Sequence, residues 1–467
     1  MTARIRQPLQ TAAAACACAL IAACGGGGGG GGGVVPGRCS ATSQKNFVLN
    51  AAREWYLFLE LLPATVDIGA FASAQQLLDA LTATARSQNK DRFFSYLTTP
   101  GADSGFLLEG QFIGFGFRTR IEGNRLLVPD VYEGSPAAQA GLGRGSEITH
   151  IDSGNGFVPV ATILQTDPDL EQAFGPPTEG VQRGLRYVRV DGQQFEAALT
   201  KTVVTIPPLP ANGTAVLSLP NSPNVEVGYV NLRTFISTAE TPLRNAFQQF
   251  RSRNPGIQYF ILDLRYNGGG LVSTADLVGD LFGGGLDGDV FEQMRFNASK
   301  SSNDSVRRFD EQPQSVMPVR IAFITTGGTA SASELVVNSM KPWVEVAIVG
   351  SDTFGKPVGQ SAFDLAGCDL RLRLVSFKVT NALDEGEYFD GLAPTLPFAC
   401  AASDDLTRDP WDRMEASTAA ALSWLETGAC GQVMSAAPAP ALKAQEGIRV
   451  PFMRRPTPAQ DALPGLF

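Results

Sequence analysis

Ser331, in the run TASASE (Thr329 to Glu334), and Lys356, in TFGKPVGQ (Thr353 to Gln360), lie in a 467-residue chain that holds a single histidine, His150. A serine hydroxyl becomes a nucleophile when a base takes its proton, and where histidine is scarce a lysine kept neutral by burial is the main substitute. The pairing therefore reads as Ser-Lys hydrolase chemistry. Taken singly, each residue has a plain structural reading. Ser331 and Glu334 stand at the S-x-x-E spacing of a helix capping box, and Lys356 fits a solvated, glycine-flanked turn.

The elements around the two residues give the combination its logic. A serine in the first turn of a helix lies beside unpaired backbone N–H groups and the positive end of the helix dipole, which can stabilise an oxyanion. Ser333 to Met340 reads as that helix. Trp343 to Gly350 (WVEVAIVG) reads as a buried strand, so helix and strand together can return Lys356 to the side of Ser331.

At these residues the chain resembles the carboxyl-terminal processing, or tail-specific, proteases. TASASE, the strand ending in Val-Gly, and TFGK followed by a glutamine four residues later are similar to the family's catalytic strings. Ile257 to Leu264 running into DLRYNGGG (Asp263 to Gly270) resembles its Asp-Leu-Arg-x-Asn-x-Gly-Gly signature, and VGYVNLRTF (Val227 to Phe235) the strand that opens its core. The resemblance covers roughly residues 80 to 400 and keeps the family's motif order. It implies Ser331 as nucleophile, Lys356 as general base and Gln360 as the group that hydrogen-bonds and orients the lysine. The oxyanion donors would be the backbone N–H of Ala332 and of a glycine in the Asn267 to Gly270 turn, Gly268 ahead of Gly269. Pro357 follows the lysine where the family usually has glycine, which biases Lys356 toward an extended conformation.

A second resemblance lies ahead of this core. Gln111 to Phe117 (QFIGFGF) resembles the carboxylate-binding loop of a PDZ domain, and EGSPAAQAGL (Glu133 to Leu142) the segment leading into its short helix. Ile113, Gly114, Phe115, Gly116 and Phe117 would then bind a peptide's carboxyl end by β-augmentation, with a pocket for its last side chain. A glycine-rich hairpin is the plainer reading of the same residues. His150 falls on the next predicted strand in a structural role.

Other chemistries find little support. Ser87-Gln-Asn-Lys90 is formally S-x-x-K but lacks its S-D-N and K-T-G companions. One histidine, no C-x-x-C and no H-E-x-x-H leave no metal site, and no cofactor motif is present. A net charge of −9 offers no broad basic face for nucleic acid.

The amino-terminal stretch has the pattern of an export signal. Arg4 and Arg6 precede an Ala-rich apolar run ending Leu20-Ile-Ala-Ala-Cys24, similar to a bacterial lipobox, so Cys24 is the expected lipidated residue; a simple secretory signal is the alternative. Gly25 to Gly33 form a flexible tether. Cys39, Cys368, Cys400 and Cys430 remain, an even number suited to an oxidising compartment, with three possible pairings. Cys368 with Cys400 and Cys39 with Cys430 is the favoured arrangement.

The expected architecture is α/β and multidomain. It comprises a signal peptide (1–23), a lipidated tether (24–38), a small helical region (39–103), a β-rich PDZ-like module (104–204), an α/β protease core (205–430) and a disordered Ala/Pro-rich tail (431–467). Helical spacing predicts helices at Asn46 to Leu62, Ala74 to Ala85, Thr241 to Arg251 and Glu415 to Leu425. Strands are predicted at Val227 to Leu232, Tyr259 to Leu264, Val319 to Thr325 and Val344 to Val349. The expected function is an endopeptidase, lipid-anchored in the bacterial cell envelope, acting on exported proteins with apolar carboxyl termini; oligomeric state is left open. A non-catalytic peptide- or ligand-binding lipoprotein on the same fold is the competing reading. The sequence itself closes on the apolar Leu463-Pro-Gly-Leu-Phe467, a fit ligand for the PDZ-like module, so the tail could occupy its own recognition site or be a passive end.

Overall fold

A computed structural model describes residues 39–253, 256–434, 448–451 and 456–467. Cys24, the signal-like run and the glycine tether lie outside the described residues. No helix among the described residues is long and apolar enough to cross a membrane.

The chain opens with α1 (Ala41–Trp55), whose Ser40 cap accepts from Ser43 N–H, and α2 (Ala74–Leu81), capped in the same way by Ser73. Their apolar faces, Val48, Leu49 and Ala52 with Leu77, Leu78 and Leu81, pack on Leu372, Leu374 and Val375. Those three belong to the long strand Arg371–Thr380, the centre of a five-stranded sheet that also holds Val358–Asp364 and Val290–Phe296. The predicted first helix stops at Trp55, seven residues early, because Tyr56 turns extended and drops into the core.

Next comes an antiparallel sheet of Arg120–Glu122, Arg125–Leu127, Glu147–Asp152, Gln182–Val188 and Gln194–Thr200. It closes over Phe115, Phe117, Ile121, Leu126, Ile148 and Leu185. His150 lies on the strand Glu147–Asp152 and meets Thr149 through Nδ1. An antiparallel pair, Gln111–Gly114 with Thr202–Thr205, forms a separate two-stranded sheet from the two ends of this module.

The core is a six-stranded sheet in the order Thr214–Ser218, Glu226–Asn231, Tyr259–Asp263, Arg320–Thr325, Glu345–Gly350, Ala399–Ala401, parallel after its first pair. Alternate residues face opposite layers. Val230, Phe260, Leu262, Phe323 and Ile348 meet α3 (Glu240–Arg251), α4 (Val272–Phe282) and α5 (Ala332–Met340), whereas Tyr229, Ile261, Ile324 and Val349 meet α6 (Ala416–Thr427). Burial on both faces explains why these strands read as continuous apolar runs.

Two expectations are corrected. The disulfides are Cys39–Cys368 and Cys400–Cys430, with Cα separations of 5.4 and 5.0 Å. Cys368 lies in the turn after Val358–Asp364, against which α1 begins. Cys400 is on the last core strand, and α6 brings Cys430 back across the same sheet. The favoured pairs would have joined different layers, which the short reach of a disulfide forbids. The end of the chain is also ordered: Ile448–Arg449 pairs with Ile121 and Glu122, and α7 (Pro458–Ala462) leads to a packed Leu463, Leu466 and Phe467.

One buried acid yields a stability test. Glu292 is fully buried with no hydrogen-bond partner on either carboxyl oxygen, and burial followed by the Asp276 charge pushes its pKa up to about 8. The folded state therefore holds a proton that the unfolded chain releases from its ordinary value of 4.5 upward. Stability falls with rising pH across that window, at about 1.4 kcal/mol per pH unit, and is level above it. Glu292→Gln should flatten this slope, so that the variant is at least as stable as wild type at pH 9 while the difference shrinks or reverses at pH 4.5. Denaturant titrations at the two values check it; parallel pH profiles would refute it.

Candidate active site

The strand Arg320–Thr325 ends in a loop that Thr329 pins by donating to the Leu264 carbonyl at 2.8 Å, while Ala330 N–H donates to the Asn267 carbonyl at 3.0 Å. Ser331 comes next with φ +57° and ψ −116°, a conformation an L-residue adopts only under constraint, and α5 starts at Ala332. Such strain at the head of a helix lifts a side chain out of the helical path.

The constraint has an identifiable source. Glu334 is wholly buried, and its carboxylate accepts from Ser331 N–H at 2.9 Å, Gly355 N–H at 2.7 Å and Lys356 N–H at 2.7 Å. Burial raises its pKa, opposed by hydrogen bonds from Thr353 and from these backbone groups. The glutamate read as a cap is thus also the joint between the serine turn and the lysine loop. Arg92, from the amino-terminal region, holds that loop from outside by donating to the Phe354 carbonyl at 2.7 Å.

Lys356 is 5% exposed, its ammonium 4.9 Å from the centre of the Phe94 ring and 3.4 Å from Asp461 Oδ2. Ser331 and Lys356 line one small cavity, otherwise walled by apolar groups including Val272, Leu335, Val358, Phe377 and Val379. Pro357 disrupts nothing here, since its carbonyl accepts from Val379 N–H at 3.1 Å.

Gln360 is not where the resemblance put it. Its amide donates to the Phe94 carbonyl and makes no bond to Lys356. A bulge between Gly359 and Gln360 shifts the strand register there, and a bulge re-aims the side chains beyond it. The link to the lysine runs through Phe94, whose backbone Gln360 holds and whose ring Lys356 faces.

The Asn267 turn lies against the serine. Asn267 is fixed by donating to the Leu232 carbonyl at 2.8 Å, and its side-chain oxygen takes the Gly269 N–H at 2.9 Å, which leaves Gly269 no donor to offer. A Cβ on Gly269 would stand 2.8 Å from Ser331 Cβ and 3.0 Å from Ala332 N, so glycine is required for this close approach. Gly268 keeps a usable N–H, and it donates at 2.8 Å to the carbonyl of Ala462.

Of the expected peptide-binding residues, Gly116 and Phe117 donate backbone N–H groups to Phe467 O at 3.0 and 3.3 Å, and Gly114 passes beneath the same residue. Phe115 is core, stacked with Phe117, and Ile113 pairs with Val203 in the ladder. The groove meets the core through Asp404, which binds Arg120 at 2.7 Å, Arg144 at 2.7 Å and Arg265 at 2.9 Å. Burial would raise the Asp404 pKa, but Arg144, Arg265 and Arg120 overcome it and hold the carboxyl well below the usual range.

Sequence reasoning missed the second role of Glu334, the part of Phe94, and Asp461. Only Glu334 carried a local signal, its S-x-x-E spacing; the other two arrive from distant parts of the chain.

Residues 226–397 match the family described as peptidase family S41, and residues 43–96 match the peptidase S41 N-terminal domain. The chain is 26% identical over 350 residues to the chloroplastic carboxyl-terminal-processing peptidase 3 of Arabidopsis thaliana, covering 73% of this chain and 63% of that protein. It is 27% identical over 260 residues to the carboxyl-terminal-processing protease of Synechocystis sp., covering 55% of this chain and 56% of the other. The chain thus spans less than two thirds of the length of these relatives. Its fold is similar to the crystal structure of a candidate S41 protease of Bacteroides fragilis, with a TM-score of 0.63 and 21% identity, covering 82% of this chain and 97% of that one.

Proposed function

The chain belongs to peptidase family S41, and from that premise we propose that it is a serine endopeptidase working through Ser331 and Lys356. The observation that carries the reading is the Glu334 carboxylate, which fixes the backbone of both residues to one buried group beside a shared cavity. In the proposed cycle Ser331 Oγ attacks the substrate carbonyl while Lys356 Nζ takes its proton. Gly268 and Ala332 N–H groups meet the oxyanion. Lys356 then protonates the leaving amine, and a water activated by the same lysine releases the acyl group. The apolar cavity suits an apolar side chain before the scissile bond.

Substrate choice is assigned to the PDZ-like groove, which would take a carboxyl end by strand addition. A twelve-residue peptide with an apolar free carboxyl end should be cleaved with kcat/KM at least about tenfold above its carboxyl-terminal amide, chiefly through KM, because the groove binds ground and transition states alike. Equal rates for the two would show that the groove does not select the substrate.

We also propose anchoring in the cell envelope through a lipid on Cys24. Cys24→Ser should shift the protein from the membrane to the soluble fraction with hydrolysis unchanged, since the tether separates anchor from core. A variant that stays membrane-bound would overturn the anchor.

A further inference from the structure

We infer that residues 456–467 are an intramolecular ligand that closes this active site, and that peptides ending in a large apolar residue bind by displacing them. The inference deepens the peptidase reading and rests on it for the roles of Lys356 and Gly268. The seating of the tail is a separate, purely binding claim.

Two anchors hold the segment. At the groove, Phe467 exchanges hydrogen bonds with Phe117, donating to its carbonyl at 3.0 Å, and Thr119 N–H donates to the Gly465 carbonyl at 2.8 Å. These bonds make an antiparallel bridge between Arg118 and Leu466, the kind of pairing by which such a groove takes a peptide. The Phe467 ring lies 4.3 Å from that of Phe174 and is 3% exposed, so the pocket for the last side chain is already filled by an aromatic. Arg118 binds the Pro464 carbonyl at 3.0 Å between the anchors.

At the catalytic end, Ala462 O occupies the Gly268 N–H at 2.8 Å, and Asp461 pairs with Lys356 at 3.4 Å. Each contact removes one requirement of the proposed chemistry. The oxyanion donor is engaged by a carbonyl, and the Lys356 amine is engaged by the Asp461 carboxylate. Ala462 ends the short helix α7, in which Leu463 N–H donates to the Ala459 carbonyl at 2.8 Å. The peptide is therefore coiled beside Gly268 and Lys356, not extended past them, and acts as a plug rather than a bond offered for cleavage. Leu463 and Leu466 are buried against Phe106, Tyr132, Ile206 and Ile236, which fixes the plug between its two anchors.

A tethered segment competes at an effective concentration on the order of millimolar. A free peptide should therefore bind the intact chain at least about tenfold more weakly than a chain whose tail cannot seat. The test uses Ser331→Ala protein throughout, so that nothing turns over, and follows the fluorescence anisotropy of a labelled peptide with the sequence of residues 456–467. Its dissociation constant should drop at least tenfold in a chain lacking residues 456–467. It should drop likewise in full-length Phe467→Asp, which decides the matter should the truncated chain fail to fold. The same peptide ending in Asp should bind all three chains weakly. Equal affinity for intact and tail-disabled chains would overturn the inference, as would binding that ignores the last residue. If the affinities shift as expected but the corresponding chains with Ser331 intact hydrolyse no peptide, the plug stands and the peptidase reading fails.

Discussion

Ser331→Ala and Lys356→Ala are each expected to lower kcat for peptide hydrolysis by on the order of 10⁴-fold or more, with folding largely kept. Nucleophile and base act as one unit, so losing either removes nearly all that both supply. Ser331 donates its backbone N–H to the Glu334 carboxylate, a bond that alanine keeps. Gln360→Ala should behave differently. Because its amide reaches Lys356 only through Phe94, its loss should leave a measurable share of activity, about tenfold below wild type. Steady-state rates for the three variants, with circular dichroism to confirm folding, separate the roles; near-normal turnover of Lys356→Ala would dismiss the dyad.

Glu334→Ala is expected to be the most disruptive single change at the site. It strands the N–H groups of Ser331, Gly355 and Lys356 in a dry interior, at about 1–3 kcal/mol for each unsatisfied group. That is a large part of the stability of an ordinary domain. Glu334→Gln retains one acceptor oxygen and similar volume, so it should recover much of the lost melting temperature but less of the lost kcat, since one oxygen serves both Ser331 and Lys356 and the amide can present it to only one arrangement. Thermal melts and kinetics on the pair check this; wild-type kcat in Glu334→Ala would show that the joint is irrelevant to catalysis.

The central sheet was legible because its strands are buried on both faces and read as apolar runs. The predicted Val227 to Leu232 and Tyr259 to Leu264 match the observed Glu226–Asn231 and Tyr259–Asp263 to within a residue at each end. That Ser331 and Lys356 share one cavity was legible for a related reason: a helix start and a strand end lie close to them in sequence. Contacts set by distant parts of the chain were not. Phe94 reaches the lysine from the amino-terminal region, and Gln360 is turned from it by a bulge that leaves no mark in residue type. The cysteine pairing failed likewise, because proximity to a predicted strand says nothing of which layer that strand joins. Asp461 and Phe467 lie in a segment whose Ala/Pro-rich surroundings read as disordered, although the apolar close of the sequence hinted at the groove it fills.

The most direct measurement is covalent labelling with a serine-directed phosphonate, followed by mass spectrometry of the digested protein. One adduct is expected, on Ser331, absent in Ser331→Ala and formed far more slowly in Lys356→Ala. An adduct on another residue, or undiminished labelling of Ser331 without the lysine, would contradict it.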